Sequence, residues 1–145
     1  MSKVLPYLGG KSQVAHEVIS KFPKGPKCYV EPFFGGGGIF FELPAHVYQS
    51  RVINDINHNV ITFFRVLRNR PEELEQVCRL TPYAKEEWEQ CGWLSNGLDT
   101  STPAGELELA RRLWVRQSQG FAGRQEHGSP CWARKGAKGP DLALR

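Results

Sequence analysis

Four consecutive glycines, Gly35–Gly38, sit between the aromatic-rich blocks "YVEPFF" and "IFFE". A glycine-rich turn after a strand lets main chain approach a ligand with no Cβ in the way. A helix starting behind such a turn would offer unpaired N–H groups. Asp55 stands twenty positions after Gly35. An acidic residue at about that distance, closing the next strand, can accept hydrogen bonds from both hydroxyls of a ribose. The pattern suits an adenosine-containing cofactor, and a plain flexible turn is the competing reading.

The dinucleotide fingerprint Gly-x-Gly-x-x-Gly fails here. From Gly35 its last position is Phe40, and from Gly36 it is Phe41. The phosphate-cradling P-loop fails as well: Gly10-Lys11-Ser12 would need its first glycine at position 5, which is Leu5. A nucleoside without phosphates remains, and S-adenosylmethionine has the required ribose diol together with an amino acid end.

The elements that must position these residues are visible in the local patterns. Val14, Val18, Ile19 and Phe22 recur at helical spacing, with Ser12 as a plausible cap. "CYVEPFF" reads as a buried strand that Pro32 should close, because proline cannot donate to a central ladder. "IFFEL" reads as the first turns of a helix, and "RVIND" as a second strand ending in Asn54 and Asp55. From Asn57 the pattern is helical with Val60, Ile61, Phe64 and Leu67 on one face, and Pro71 ends it while opening the next helix, "PEELEQVCRL". "TPYAKEEWEQCGWL" repeats that signal, with Thr81 as cap and Pro82 at the first position. A polar loop through Gly105 leads to an amphipathic helix, "ELELARRLWVRQ", with Leu109 and Leu113 on one face and Arg112 and Arg116 on another. Strand, crossover and strand in alternation indicate an α/β fold with a parallel sheet.

Composition narrows the class. The 145 residues fit one domain. No apolar run approaches the ~18 residues of a membrane span, and "MSKVLPYLGGK" lacks the core of a signal peptide. A cytoplasmic location follows as the expectation. Cys28, Cys78, Cys91 and Cys131 form no Cys-x-x-Cys pair, so idle thiols are expected rather than a metal site. Residues 1–110 carry 11 basic and 13 acidic side chains, whereas residues 111–145 carry 8 basic and 2 acidic ones. That asymmetry points mildly to a polyanion such as nucleic acid, or else to a solubilising tail.

Three phrases in register carry a family resemblance: "YLGGK" (7–11), "VEPFFGGGGIFF" (30–41) and "NDIN" (54–57). Together with "ITFFRVLRNRPEEL" and "TPYAKEEW", they resemble the Dam-like adenine-N6 DNA methyltransferases over about residues 3–90. The resemblance implies a Rossmann-like, S-adenosylmethionine-dependent methyltransferase sheet, here incomplete, with a helical insertion. It implies a cofactor-binding half at 1–70, and a helical region with a partial DNA target-recognition segment at 71–145. Carried over residue by residue, Tyr7 and Lys11 would contact S-adenosylmethionine, the first wrapping back with its segment to close the pocket. Gly35, Gly36 and Gly37 would form the turn under its amino acid end. Asp55 would bind the ribose hydroxyls, and Ile56 would pack on the adenine. Glu31 would meet the methionine amino group or cap a backbone turn. "ARRLWVRQSQGFAGR" resembles the start of the DNA-reading segment, which makes Arg111, Arg112, Arg116 and Arg124 candidates for phosphate contacts on double-stranded DNA, with a solvated helix face as the other reading of the first three.

Such enzymes also need an Asp-Pro-Pro-Tyr type motif to hold the flipped base. The ten prolines include no adjacent pair, so no catalytic residue is assigned. The chain is therefore expected to be a truncated form, inactive alone and prone to aggregate or to be partly disordered, least ordered after Gly120. It would be completed by a missing C-terminal half, with a non-catalytic S-adenosylmethionine- or DNA-binding remnant as the alternative.

Overall fold

The computed structural model describes residues 4–25, 27–44 and 46–120. Arg124, Cys131 and the expectations for the chain beyond Gly120 lie outside the described residues. The chain divides into two compact units, residues 1–57 and 58–145. The division falls earlier than residue 70, because the helix that follows Asn57 packs with the later helices.

The first unit contains a 3-10 turn Lys11–Gln13, α1 (Ala15–Ser20), β1 (Cys28–Glu31), a second 3-10 turn Phe40–Glu42 and β2 (Ser50–Ile53). The two strands are parallel, in register from Cys28↔Ser50 to Glu31↔Ile53. The ladder continues past the C-terminal ends of the two strands, through Asn54 N–H to Glu31 O and Phe34 N–H to Asn54 O, each 2.9 Å. Pro32 has no N–H to give, and β1 stops before it as expected. The strand is not buried on both faces, however. Tyr29 and Glu31 point inward while Cys28 and Val30 face out, and Phe33 is exposed. A strand alternates faces with period two, so one apolar run spans both environments.

The core of this unit gathers Ala15, Tyr29, Ile39, Leu43 and Tyr48, with Val18, Ile19 and Phe22 packed against it. The helix face is therefore Ala15, Val18, Ile19 and Phe22, and Val14 turns outward. The expected helix after the glycines shrinks to the one turn Phe40–Glu42. Leu43 precedes Pro44, and the residue before a proline is driven out of the helical region; Leu43 has ψ 131°.

The second unit is helical: α2 (His58–Asn69), α3 (Pro71–Leu80), α4 (Lys85–Gln90) and α5 (Pro103–Ser118). Pro71 occupies the first turn of α3 with Glu72 and Glu73, as its sequence predicts. Thr81 does not cap α4. Its hydroxyl donates to Val77 O (2.7 Å) and closes α3 instead, while α4 starts at Lys85. The extended Thr81 backbone again precedes a proline, Pro82. α5 starts before "ELEL", at Pro103. The Thr102 hydroxyl caps it by accepting from Gly105 N–H (3.1 Å). Leu109, Ala110, Leu113, Trp114 and Val115 of α5 are buried against α2, α3 and α4. This helix is enclosed nearly all round rather than amphipathic.

Candidate functional site

β2 runs out at Ile53 and delivers Asp55 beside the glycine turn. Asp55 Oδ2 accepts from Gly35 N–H (2.7 Å), and its Oδ1 accepts from Asn57 N–H (2.9 Å). The carboxylate thus braces the turn and the chain after it. Each oxygen keeps a further lone-pair direction for a ligand hydroxyl.

The glycines admit the protein's own N-terminal segment as well as open space. Gly35 has φ +54°, the left-handed region that glycine reaches at no steric cost. A Cβ on Gly36 would lie 2.7 Å from Leu5 O and 3.0 Å from Tyr7 Cβ. A Cβ on Gly38 would meet Ser12 N at 2.7 Å. Gly37 (φ +70°) turns beneath Phe34 and Phe41. The segment Leu5–Ser12 therefore lies directly over the glycine run, and no other residue type fits between them.

Where these pieces meet there is a cavity of about 270 Å³, lined by Tyr7, Lys11, Phe33, Gly35, Gly36 and Asp55 among others. Burial, and then the negative charge of nearby Asp55, raise the Tyr7 phenol above its ordinary pKa, while a hydrogen bond with Asn57 acts the other way. Tyr7 is therefore a neutral hydrogen-bond donor at neutral pH. Lys11 Nζ donates to Phe33 O (3.1 Å) and stands 3.7 Å from Glu31 Oε1. Glu31 is buried behind this rim; its Oε2 accepts from the Tyr29 hydroxyl (2.8 Å), while Oε1 has no hydrogen-bond partner. A larger groove of about 340 Å³ runs along α3 between Glu72, Glu75, Gln76, Arg79 and Leu80. Its lining is an exposed helix face with an Arg79–Glu75 pair (3.4 Å), whereas the first cavity gathers a carboxylate, a phenol and an ammonium, so the chemistry favours the first cavity.

The structure thus brings Tyr7, Lys11, Gly35, Gly36 and Asp55 to one cavity, with Gly37 in the turn beneath it and Glu31 behind Lys11. Ile56 follows Asp55 with its side chain 95% exposed, and it does not line the cavity. Phe33 does line it, and the strand-like reading of "CYVEPFF" concealed this; the signal was an aromatic placed after the proline that ends the strand.

The arginines of α5 are used differently from the expectation. Arg116 is 4% exposed, its guanidinium stacked 3.4 Å over the Trp88 ring and donating to Trp88 O. Burial lowers its pKa. Arg112 donates to Glu108 Oε1 (2.9 Å) and Asn96 O (2.9 Å). Arg111 holds Glu108, Glu87 and Thr81. These guanidiniums join segments within their own unit. Burial pushes the Cys78 thiol up to about 12 and the Cys91 thiol up to about 11, which makes both inert at neutral pH.

The model of the D12 class N6 adenine-specific DNA methyltransferases matches residues 7–94, more than half of the chain. The chain belongs to that family. Curated relatives agree. A Type II methyltransferase, M1.LlaDCHI of Lactococcus lactis subsp. cremoris, is 36% identical over 80 residues, 55% of this chain and 26% of that protein. The DNA adenine methylase of Escherichia coli (strain K12) is 32% identical over 75 residues, 52% of this chain and 26% of its own length. The DNA N-6-adenine-methyltransferase of Escherichia phage P1 is 32% identical over 71 residues, 49% of this chain and 9% of that protein. The chain thus spans about a quarter of the length of the first two. The mixed helix–strand architecture, with its small parallel sheet, is consistent with part of a methyltransferase fold. No described helix is long and apolar enough to cross a membrane.

Proposed function

We propose that this chain is the donor-binding part of a site-specific adenine-N6 DNA methyltransferase with a Rossmann-like sheet, acting in the cytoplasm on double-stranded DNA. The methyl donor is S-adenosylmethionine, which supplies a methyl group on a positively charged sulfur. The observation that carries this reading is the Asp55 carboxylate held against Gly35 N–H at the wall of the cavity. It leaves acceptor capacity facing a nucleoside without any phosphate-cradling loop.

The residues fit such a ligand. Asp55 would take the ribose hydroxyls, and Tyr7 would offer a neutral phenol and an apolar ring. Lys11 and Glu31 Oε1, which accepts no hydrogen bond, stand 3.7 Å apart as a cation–anion pair suited to a zwitterionic amino acid end. Among the described residues lining the cavity Lys11 is the sole cation, too little positive charge for a triphosphate. The groups that would accept the target amine's hydrogens are not found among these residues, since no Pro-Pro pair occurs. Donor binding is therefore the activity to measure on these 145 residues alone, and no methyl transfer is expected from them.

Calorimetric titration with S-adenosylhomocysteine tests the reading. Saturable binding is expected, reduced at least about tenfold in Asp55→Ala through loss of charged hydrogen bonds, and not displaced by ATP. No binding by the folded wild type, or equal competition by ATP, would overturn it.

A further inference from the structure

We propose that Tyr29 is a positioning residue that aims the Glu31 carboxylate at the ammonium group of the donor's amino acid end; this rests on the donor-binding reading above. Tyr29 and Glu31 are two apart on β1 and share its inward face. The Tyr29 hydroxyl donates to Glu31 Oε2 at 2.8 Å. A carboxylate is planar, so pinning one oxygen and the chain end leaves the other little freedom.

That other oxygen is Oε1. It is buried, accepts no hydrogen bond, and lies 3.7 Å from Lys11 Nζ at the cavity rim. A buried charged oxygen without a donor is costly, and a second ammonium arriving beside Lys11 would recover that cost. The phenol itself cannot swing away. Its ring lies between Phe22 (centroids 5.9 Å) and Tyr48 (5.6 Å), inside the core of the unit. Burial, and then the bond to Glu31, raise the Tyr29 pKa. Tyr29 therefore stays a donor, and never repels Glu31 as a phenolate, across the neutral range. The core of the unit is coupled to the site through one hydrogen bond.

The test compares two ligands in the full chain. S-adenosylhomocysteine carries the amino acid end; 5′-methylthioadenosine has the same thionucleoside without it. Tyr29→Phe keeps the ring and removes the hydroxyl. It should weaken S-adenosylhomocysteine about five- to tenfold, the scale of one charge-assisted hydrogen bond, and leave 5′-methylthioadenosine unchanged. Glu31→Gln should show the same selectivity, and adding Tyr29→Phe to it should change nothing further, because the phenol acts through the carboxylate. Equal weakening of both ligands, no weakening of either, or additive losses in the double variant would overturn the positioning role. Failure of the wild type to bind S-adenosylhomocysteine, with its fold intact, would overturn the donor-binding reading and this proposal with it.

Discussion

Glu31 in the first unit and Glu108 in the second are both carboxylates set among packed side chains, and they end with different partners. Glu108 accepts from Arg111 Nε (2.7 Å) and Nη2 (2.8 Å) and from Arg112 Nε (2.9 Å). Arg111 in turn reaches Glu87 on α4 and Thr81 after α3. Glu31 has one donor, Tyr29, and one oxygen left without any. The saturated network joins helices, whereas the Glu31 carboxylate behind the cavity retains an unfilled acceptor position. Close backbone approach at a glycine occurs in both units, at Gly36 and Gly38 in the first and at Gly105 beside Asp99 O in the second, whose interior is filled by Leu109, Leu113 and Trp114.

If this contrast is right, substitutions in the second unit change stability, and those in the first change binding. The largest stability effect should come from Leu113→Ala. The side chain is wholly buried, and its loss should cost about 2–5 kcal/mol, read as a lower urea midpoint of the helical far-UV signal. A loss below about 1 kcal/mol would mean that α5 is not the packed centre of its unit. Next is Gly36→Ala. A Cβ there must displace Leu5 O or Tyr7, a strain of about 1–3 kcal/mol. Tenfold or greater loss of S-adenosylhomocysteine affinity (about 1.4 kcal/mol) is expected, with the helical urea transition unchanged. Unaltered affinity would separate the glycine run from the site.

Thr102→Ala removes the hydroxyl that accepts from Gly105 N–H. It should cost the second unit about 1 kcal/mol in the same urea experiment, and leave ligand binding alone. The smallest effect concerns pH. Burial pushes the Glu108 carboxyl up, but the hydrogen bonds and charges of Arg111 and Arg112 outweigh it and hold it below the usual carboxylate range. A depressed folded pKa means that this stabilisation is complete above the unfolded value of about 4.3. It fades as pH falls through the lower folded value. For a partly exposed group the amount is at most about 1 kcal/mol after solvent screening. Glu108→Gln should flatten that part of the acid limb, and an unchanged limb would show that the network contributes nothing measurable.

The distribution of legible and illegible features follows the range of the forces involved. Pro32 closing β1 and Pro71 opening α3 could be read directly, because a missing N–H and a fixed φ act within one or two residues. The same chemistry at Thr102-Pro103 marks the start of α5, though the polar loop before it masked the signal. Thr81-Pro82 carries an identical pattern and does not start a helix, since the Thr81 hydroxyl had a nearer carbonyl at the end of α3. Arg116 reads as a surface cation from its spacing, and the aromatic face that shelters it, Trp88, belongs to another helix.

By itself, the amino-acid sequence determined the two strands, the glycine turn and an acidic residue just past the second strand, because strand propensity, proline geometry and the absent Cβ are properties of single residues. It also determined the family, through motifs held in order. Only the tertiary structure decided that Leu5–Ser12 lies over the glycines, that Lys11 stands beside a half-satisfied Glu31, and that the arginines of α5 turn into their own unit. Those outcomes depend on which donors and acceptors meet across tens of residues, and local sequence does not encode a partner that folding has yet to bring near.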